Sequence, residues 1–508
     1  MKLTQDTPTH APQTESQTKL QTEIGIPPQT DAKIDRMGTE STFKLLLEFS
    51  VPAVIGVLVQ MLYNVIDAVY VGHAVGPDGL AATTVANPLM TAIIALAMLV
   101  GVGGNAVCAI KLGEGKKQVA QRVLGNAFTL LLLVSAAIWV IAAVAMDPIL
   151  RYSGADDIVM PYAKTFVTII VIGCPLQFIS FGMNNFIRTA GHPNRALGSM
   201  LIGTGANIVL GYLFIIVFGW GMLGAGFATL LSWGISAAFV MQFFLSKNSP
   251  MPLRLKSLAI KPKIALRIFA LGLAPSIMEM GFAVSSMIEN NLLTFYGATD
   301  PLGADGALAV MRVLASVGLL VVMPSMGLSM GSQPIIGYNY GAKNYDRMKA
   351  TLRQAILMGI AITTPLWLSV ILLPDMYSHL FGLPEQYIAA TSWALIAYLI
   401  FIPILPVAIV GANYFDATGQ AFKATVLTLT RQILFLIPLL LICPILLPQI
   451  IPVSALQSVF IAPSISDITS TLLVGGFLLA EWRRLDKQIA RSRAAKALEA
   501  QAAGSLRK

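Results

Sequence analysis

The stretch Met61-Leu-Tyr-Asn-Val-Ile-Asp-Ala-Val-Tyr-Val-Gly72 sets one carboxylate, Asp67, deep inside a long apolar segment. A charged side chain at the centre of a membrane helix costs about 2.5–3.5 kcal/mol on insertion scales, so an ionisable residue kept there points to function. The alternative is a structural carboxylate satisfied by a neighbouring Asn or Thr. The apolar flanks of Asp67 are the first of many such runs.

Of 508 residues, 56% are hydrophobic and 12% charged, and the mean hydropathy is +0.73. Soluble domains carry about a quarter charged residues. A chain this apolar is a polytopic membrane protein. The formal charge of +9 invites a nucleic-acid reading, but the basic residues fall in tails and short loops between apolar runs. That distribution describes topology and excludes a nucleic-acid partner. Cys108, Cys174 and Cys443 all lie in apolar runs without metal spacing and read as small core residues.

A spanning helix takes about 20 mostly apolar residues. Twelve runs qualify, near 45–71, 80–110, 123–146, 160–187, 196–218, 222–246, 267–296, 306–338, 351–373, 387–415, 424–447 and 455–480. Lys111, Lys116, Lys117 and Arg122 follow the second run, and Arg188 and Arg195 the fourth. Lys247, Arg254, Lys256, Lys261, Lys263 and Arg267 follow the sixth; Lys343, Arg347, Lys349 and Arg353 the eighth; Lys423 the tenth. The alternate loops carry Asp78, Asp147, Asp156, Asp157, Asp300, Asp305, Asp375 and Glu385, with Arg151 as their clear basic residue. The even-numbered connections and both termini are therefore expected on the cytoplasmic side of the cell's inner membrane.

The halves repeat. A shift of 228 residues aligns Gly103 with Gly331, Gly113 with Gly341, Asp147 with Asp375, Gly154 with Gly382, Pro175 with Pro403, Asn185 with Asn413 and Gly191 with Gly419. Nearer the start of each half the register changes and Pro52 pairs with Pro275. Each half holds six spans, so the repeats are parallel, related by an axis along the membrane normal. The expected architecture is all-α: two pseudo-symmetric six-helix bundles around a central cleft. Its expected parts are a disordered cytoplasmic tail (1–42), a first lobe (43–246), a cytoplasmic linker (247–266), a second lobe (267–480) and a basic cytoplasmic tail (481–508).

Over residues 43–480 the sequence resembles the multidrug and toxic compound extrusion (MATE) family. The resemblance is carried by Tyr63-Asn-Val-Ile-Asp67 with Val71-Gly72, the Gly103 to Gly113 segment, Arg188-Thr-Ala-Gly191, Asn207-Ile-Val-Leu and Gly331-Ser-Gln-Pro334 with Gly341. Met61-Leu-Tyr-Asn and Arg431-Gln-Ile-Leu-Phe-Leu-Ile-Pro438 look most like its MepA-type branch. The resemblance implies a V-shaped secondary transporter, not an enzyme, that exports amphipathic and often cationic drugs in exchange for H⁺ or Na⁺. It also implies a first-lobe cation site at Asp67, Asn207, Gly211 and Thr229, with Tyr63 one turn before the carboxylate and Pro52 as a bend-forming proline. Gly211 departs from the family pattern, which has a second carboxylate there. A compact sodium site wants several hard oxygen ligands, so the departure shifts the expectation towards H⁺. Asp67 then acts as a switch: ionised and cation-attracting, or protonated and able to let the first helix bend at Pro52. Asn207 and Thr229 read equally well as interhelical hydrogen-bonding residues.

Glu279 and Glu289 in the seventh run and Arg312 in the eighth are further intramembrane charges. Glu279 sits about 12 residues into its helix, near mid-membrane at 1.5 Å per residue. Glu289 and Arg312 lie within a few turns of the same outer loop, where they can form a structural ion pair; the competing reading makes these residues a surface for cationic drugs. Arg431 and Asp467 are possible partners, and Asp416 falls at a cytoplasmic helix end. The 22 methionines suit an adaptable wall. The four histidines fall in the tail and loops, and there is no metal, serine-nucleophile or Walker motif. The expectation is a monomer in the lipid bilayer, driven by an ion gradient, with no metal and no cofactor. The rival reading is a lipid-linked oligosaccharide flippase of the same wider superfamily, whose cavity carries more basic residues.

Overall fold

Among the described residues twelve helices are long and apolar enough to cross a membrane, and each grows from one of the apolar runs. They span Thr42–Ala74, Pro77–Gly113, Lys117–Tyr152, Met160–Thr189, Pro193–Val217, Gly221–Leu245, Pro262–Gly297, Gly303–Gly341, Tyr345–Leu372, Glu385–Ala417, Ala421–Ile450 and Ala455–Ser505. The computed structural model describes residues 29–246 and 249–505. The seventh span starts at Pro262, a proline at the first helical turn, so it takes in the last residues expected of the linker. The twelfth helix runs unbroken through the expected basic tail to Ser505.

The expectation of a disordered tail over 1–42 fails where the structure describes that region. Residues 1–28 lie outside the described residues, but Gln29–Thr39 is a helix with Ile34 and Met37 buried. Its ends are held by both lobes. Asn339 donates to the Met37 carbonyl at 2.9 Å and Tyr338 to Asp35 at 3.2 Å, while the Lys33 carbonyl packs against Gly191. Arg36 bridges Glu40 (2.6 Å) and Glu48 (2.7 Å), tying the helix to the first span. The Arg36 hydrogen bond, with partial burial opposing it, holds the Glu40 carboxyl below the usual glutamate range. A lowered folded value means the contact contributes above the ordinary glutamate value of about 4.3 and is lost as pH falls through the folded value. Protection factors of the 29–39 amides, with the intrinsic pH dependence of exchange divided out, are therefore expected to be flat from pH 5 to 8 and to fall only below about pH 4. Arg36→Ala should remove that dependence.

The buried side chains form two cores, one per lobe, with an exchange at one end. Ala265, Ile268 and Leu271 from the start of the seventh span join the first core. Leu46 from the start of the first span joins the second. Glycines permit the crossings. A Cβ at Gly103 would strike Ile268 and Gly272, one at Gly272 would strike Leu99, and one at Gly331 would strike Ser50. Where the second and eighth spans cross, a Cβ at Gly113 would meet the Tyr338 carbonyl and one at Gly341 the Ile110 carbonyl. Those two contacts are related by the 228-residue shift, and all the crossings lie at the end bearing the even-numbered loops. The turn glycines repeat as well: Gly191 and Gly419 have φ of 82° and 75°.

Three helices deviate from regular α geometry. The fifth span passes into a π-helix at Tyr212–Val217 and the eleventh into one at Thr430–Leu436. The tenth is interrupted after Leu399 by a 3₁₀ turn at Ile402–Ile404, where Pro403 withholds a backbone donor. Its counterpart Pro175 sits inside a continuous fourth span. Pro52 likewise leaves the first span continuous.

Candidate functional site

The fifth and sixth spans pack through small residues, with Gly203 over Ser236, and this brings their polar faces together beneath the first span. Asn207, 3% exposed, donates towards Thr229 Oγ1 and Ser232 Oγ, each at 3.4 Å. Thr229 also donates to the Ala225 carbonyl at 3.0 Å, and Ser232 to the Thr229 carbonyl at 2.8 Å. The Tyr63 hydroxyl faces Thr229 and lies within electrostatic reach of Asp67. Asp67 completes the group, and its Oδ1 is buried without a hydrogen-bond partner among the described residues. Buried carboxylate oxygens normally find a donor, so an orphaned one marks a place for a proton or a cation. The four residues expected from the sequence thus converge.

Gly211 explains why the cluster has a single carboxylate. A Cβ built there lies 3.2 Å from the ring of Tyr70, from the first span, so a side chain at this position would press on that ring. Tyr70 also tilts against Tyr212, with centroids 6.3 Å apart, at the first residue of the π-helix. Single π turns gather at functional sites. Tyr70 and Ser232 were not singled out in the sequence, although Tyr70 lies one turn beyond Asp67.

In the second lobe the charges pair differently from the sequence expectation. Arg312 is exposed and makes no salt bridge among the described residues, so it is not the partner of Glu289. Its neighbours Val310, Met311, Val313 and Leu314 are buried, which turns Arg312 outward. Glu289 is 6% exposed, with Oε1 unpartnered among the described residues, and lies within electrostatic reach of Tyr398. Tyr398 in turn neighbours a part-buried ion pair in which Arg431 Nε donates to the buried Asp467 Oδ1 at 2.8 Å. Ser285 donates to the Gln432 carbonyl at 3.1 Å, fixing the seventh span to the π segment that carries Arg431. Glu279 is half-buried, and no hydrogen bond or ion pair engages it among the described residues. On the side expected to be acidic, Lys164 balances Asp147 at 2.8 Å.

Removing one member of a buried ion pair strands the other charge, at a cost of about 3–5 kcal/mol. Arg431→Met is expected to lower the unfolding temperature in detergent by several degrees. Arg431→Met with Asp467→Leu should recover most of that loss, because both charges leave together.

Two six-span lobes sharing a fold and crossing at one end, with a carboxylate buried in the first, define a polytopic membrane protein of duplicated architecture. The chain belongs to the MatE family, whose profile matches residues 52–213 and 275–442, one stretch in each lobe. Multidrug export protein MepA of Staphylococcus haemolyticus is 24% identical over 398 residues, covering 77% of this chain and 85% of that protein. MepA of Staphylococcus aureus strain MRSA252 is 22% identical, covering 85% and 93%. A solved outward-facing multidrug resistance MATE family transporter of the MOP superfamily superposes with a TM-score of 0.81 at 24% identity, over 91% of this chain and 99% of that one. The chain therefore has the V-shaped MATE fold, in a family of secondary transporters.

Proposed function

We propose that the protein exports amphipathic, cationic compounds by antiport against protons, with Asp67 as the coupling carboxylate. The observation that carries the coupling is the buried Oδ1 of Asp67, unpartnered among the described residues and within electrostatic reach of Tyr63, whose hydroxyl faces Thr229, with the Tyr70 ring packed against Gly211. One carboxylate with an amide and hydroxyls can hold a proton; a compact Na⁺ site asks for more hard oxygen charge. Drug export is supported by the MepA relatives. Glu279 and Glu289 offer carboxylates for a cationic substrate in the second lobe, whereas Arg312 faces outward. Arg431 is held by Asp467 and is not free for a lipid pyrophosphate, which weighs against the flippase reading.

On this reading the even-numbered, basic loops and both termini lie on the cytoplasmic side of the cell membrane, the lobes meet at the cytoplasmic end, and the cleft opens outward. The protein works as a monomer on an ion gradient and takes no cofactor. Efflux of a cationic dye from proteoliposomes under separate H⁺ and Na⁺ gradients tests the coupling. Uptake of dye in step with a pH gradient alone is expected, and transport driven by sodium without a pH gradient would overturn it.

A further inference from the structure

Asn105 and Gln333 are 228 residues apart, the spacing of the internal repeat, and they hydrogen-bond to each other. Asn105 Nδ2 donates to Gln333 Oε1 at 2.9 Å. Two residues related by the duplication can touch only where the pseudo-twofold axis passes, so this bond lies on the axis between the lobes. The chain of bonds extends on both sides. The Thr189 hydroxyl, at the end of the fourth span, donates to Asn105 Oδ1. Gln333 Nε2 donates to Asp416 Oδ2 at 2.8 Å, at the end of the tenth. All four side chains are 0–4% exposed.

The ends of the chain fix its direction. An amide pair alone can run either way, but a hydroxyl donor on one side and a carboxylate acceptor on the other align every donor towards Asp416. Asn105 and Gln333 each stand eight residues before Gly113 and Gly341, roughly 12 Å inward from where the second and eighth spans cross. The amides therefore form the layer next to the floor of the cleft. Buried amides left without partners are costly, but water entering a parted interface satisfies them. Such a contact holds the lobes when dry and releases them when wet.

We propose that Thr189, Asn105, Gln333 and Asp416 form an inter-lobe latch whose closure holds the outward-open state and whose parting accompanies opening of the opposite end. This rests on the exporter reading above only for the word outward. These are positioning residues: none touches the candidate coupling site.

The test is a distance measurement on the full-length protein, independent of transport. Tyr152 and Leu380 are 88% and 74% exposed, stand at the odd-loop end, and are also 228 residues apart. Spin labels at Tyr152→Cys and Leu380→Cys report the separation of the lobes there; Cys108, Cys174 and Cys443 are buried, and two labels per molecule confirms that they stay unlabelled. Gln333→Leu removes both central bonds and is expected to raise the short-distance population at least about tenfold, the scale set by the loss of two hydrogen bonds. Gln333→Asn, which shortens the reach, should do the same. The swap Asn105→Gln with Gln333→Asn restores the summed length and should return the distribution to that of the parent. Parent-like distances in Gln333→Asn, or a swap no closer to the parent than the single variant, would overturn the latch. Where Gln333→Leu does not fold, those two polar variants decide. Absence of dye efflux under any gradient with these shifts intact would count against the exporter reading and leave the latch standing.

Discussion

Asp67→Asn is expected to reduce pH-gradient-driven dye efflux in proteoliposomes by roughly a hundredfold or more, with dye binding and the unfolding temperature close to those of the parent. A proton biases a two-state protein only through unequal affinity for the two states, and a hundredfold bias needs about 2.7 kcal/mol of such difference. Asp67 is the ionisable carboxylate of its cluster, so replacing it removes that difference at the source. Asparagine keeps the volume and stays within reach of Tyr63. Folding is therefore spared. Asn207→Ala, by contrast, breaks two long 3.4 Å contacts and should lower efflux several-fold without uncoupling it. Full coupled efflux by Asp67→Asn would end the assignment of Asp67 as the coupling group.

The twelve spans were legible because each is an apolar run long enough to cross a bilayer, and the even-loop arginines and lysines repeat without a break. The repeat was legible too, down to the turn glycines Gly191 and Gly419. The first-lobe cluster could be assembled only because the resemblance paired Asp67 with Asn207 and Thr229, residues that are otherwise unremarkable polar positions in apolar helices. What failed was the facing of side chains. Glu289 and Arg312 are near the same loop, but they lie on different faces of their helices, and spacing along two helices does not set their relative rotation. The π segments at Tyr212–Val217 and Thr430–Leu436 left no proline or glycine signal of their own within them. Helix Gln29–Thr39 was missed because its stability comes from docking on Tyr338, Asn339 and Gly191, not from its own composition. Asn105 and Gln333 were within reach: the same 228-residue shift that paired the glycines also pairs them.

That symmetry yields a second large effect. Gly113→Ala and Gly341→Ala are each expected to cut efflux at least about tenfold and to part the lobes at the even-loop end. An added Cβ at either position would meet a backbone carbonyl, of Tyr338 or of Ile110, and a carbonyl in a helix cannot rotate aside as a side chain does. Overpacking of this kind costs about 1–3 kcal/mol even where side chains can adjust. Here the relief available is separation of the second and eighth spans, which opens the end that must be sealed for export. Gly475→Ala and Gly476→Ala supply the contrast, because a Cβ at those helical positions meets nothing within 4 Å. They should be neutral or should stabilise the helix by up to about 1 kcal/mol. The two crossing variants should resemble each other, since the contacts are copies of one another. A Gly113→Ala protein that transports like the parent while Gly341→Ala fails would mean that the crossing is not shared equally by the lobes. Parent-like transport by both would mean that this end does not stay closed during the cycle, and that the seal lies deeper, at the level of Gly103 and Gly331.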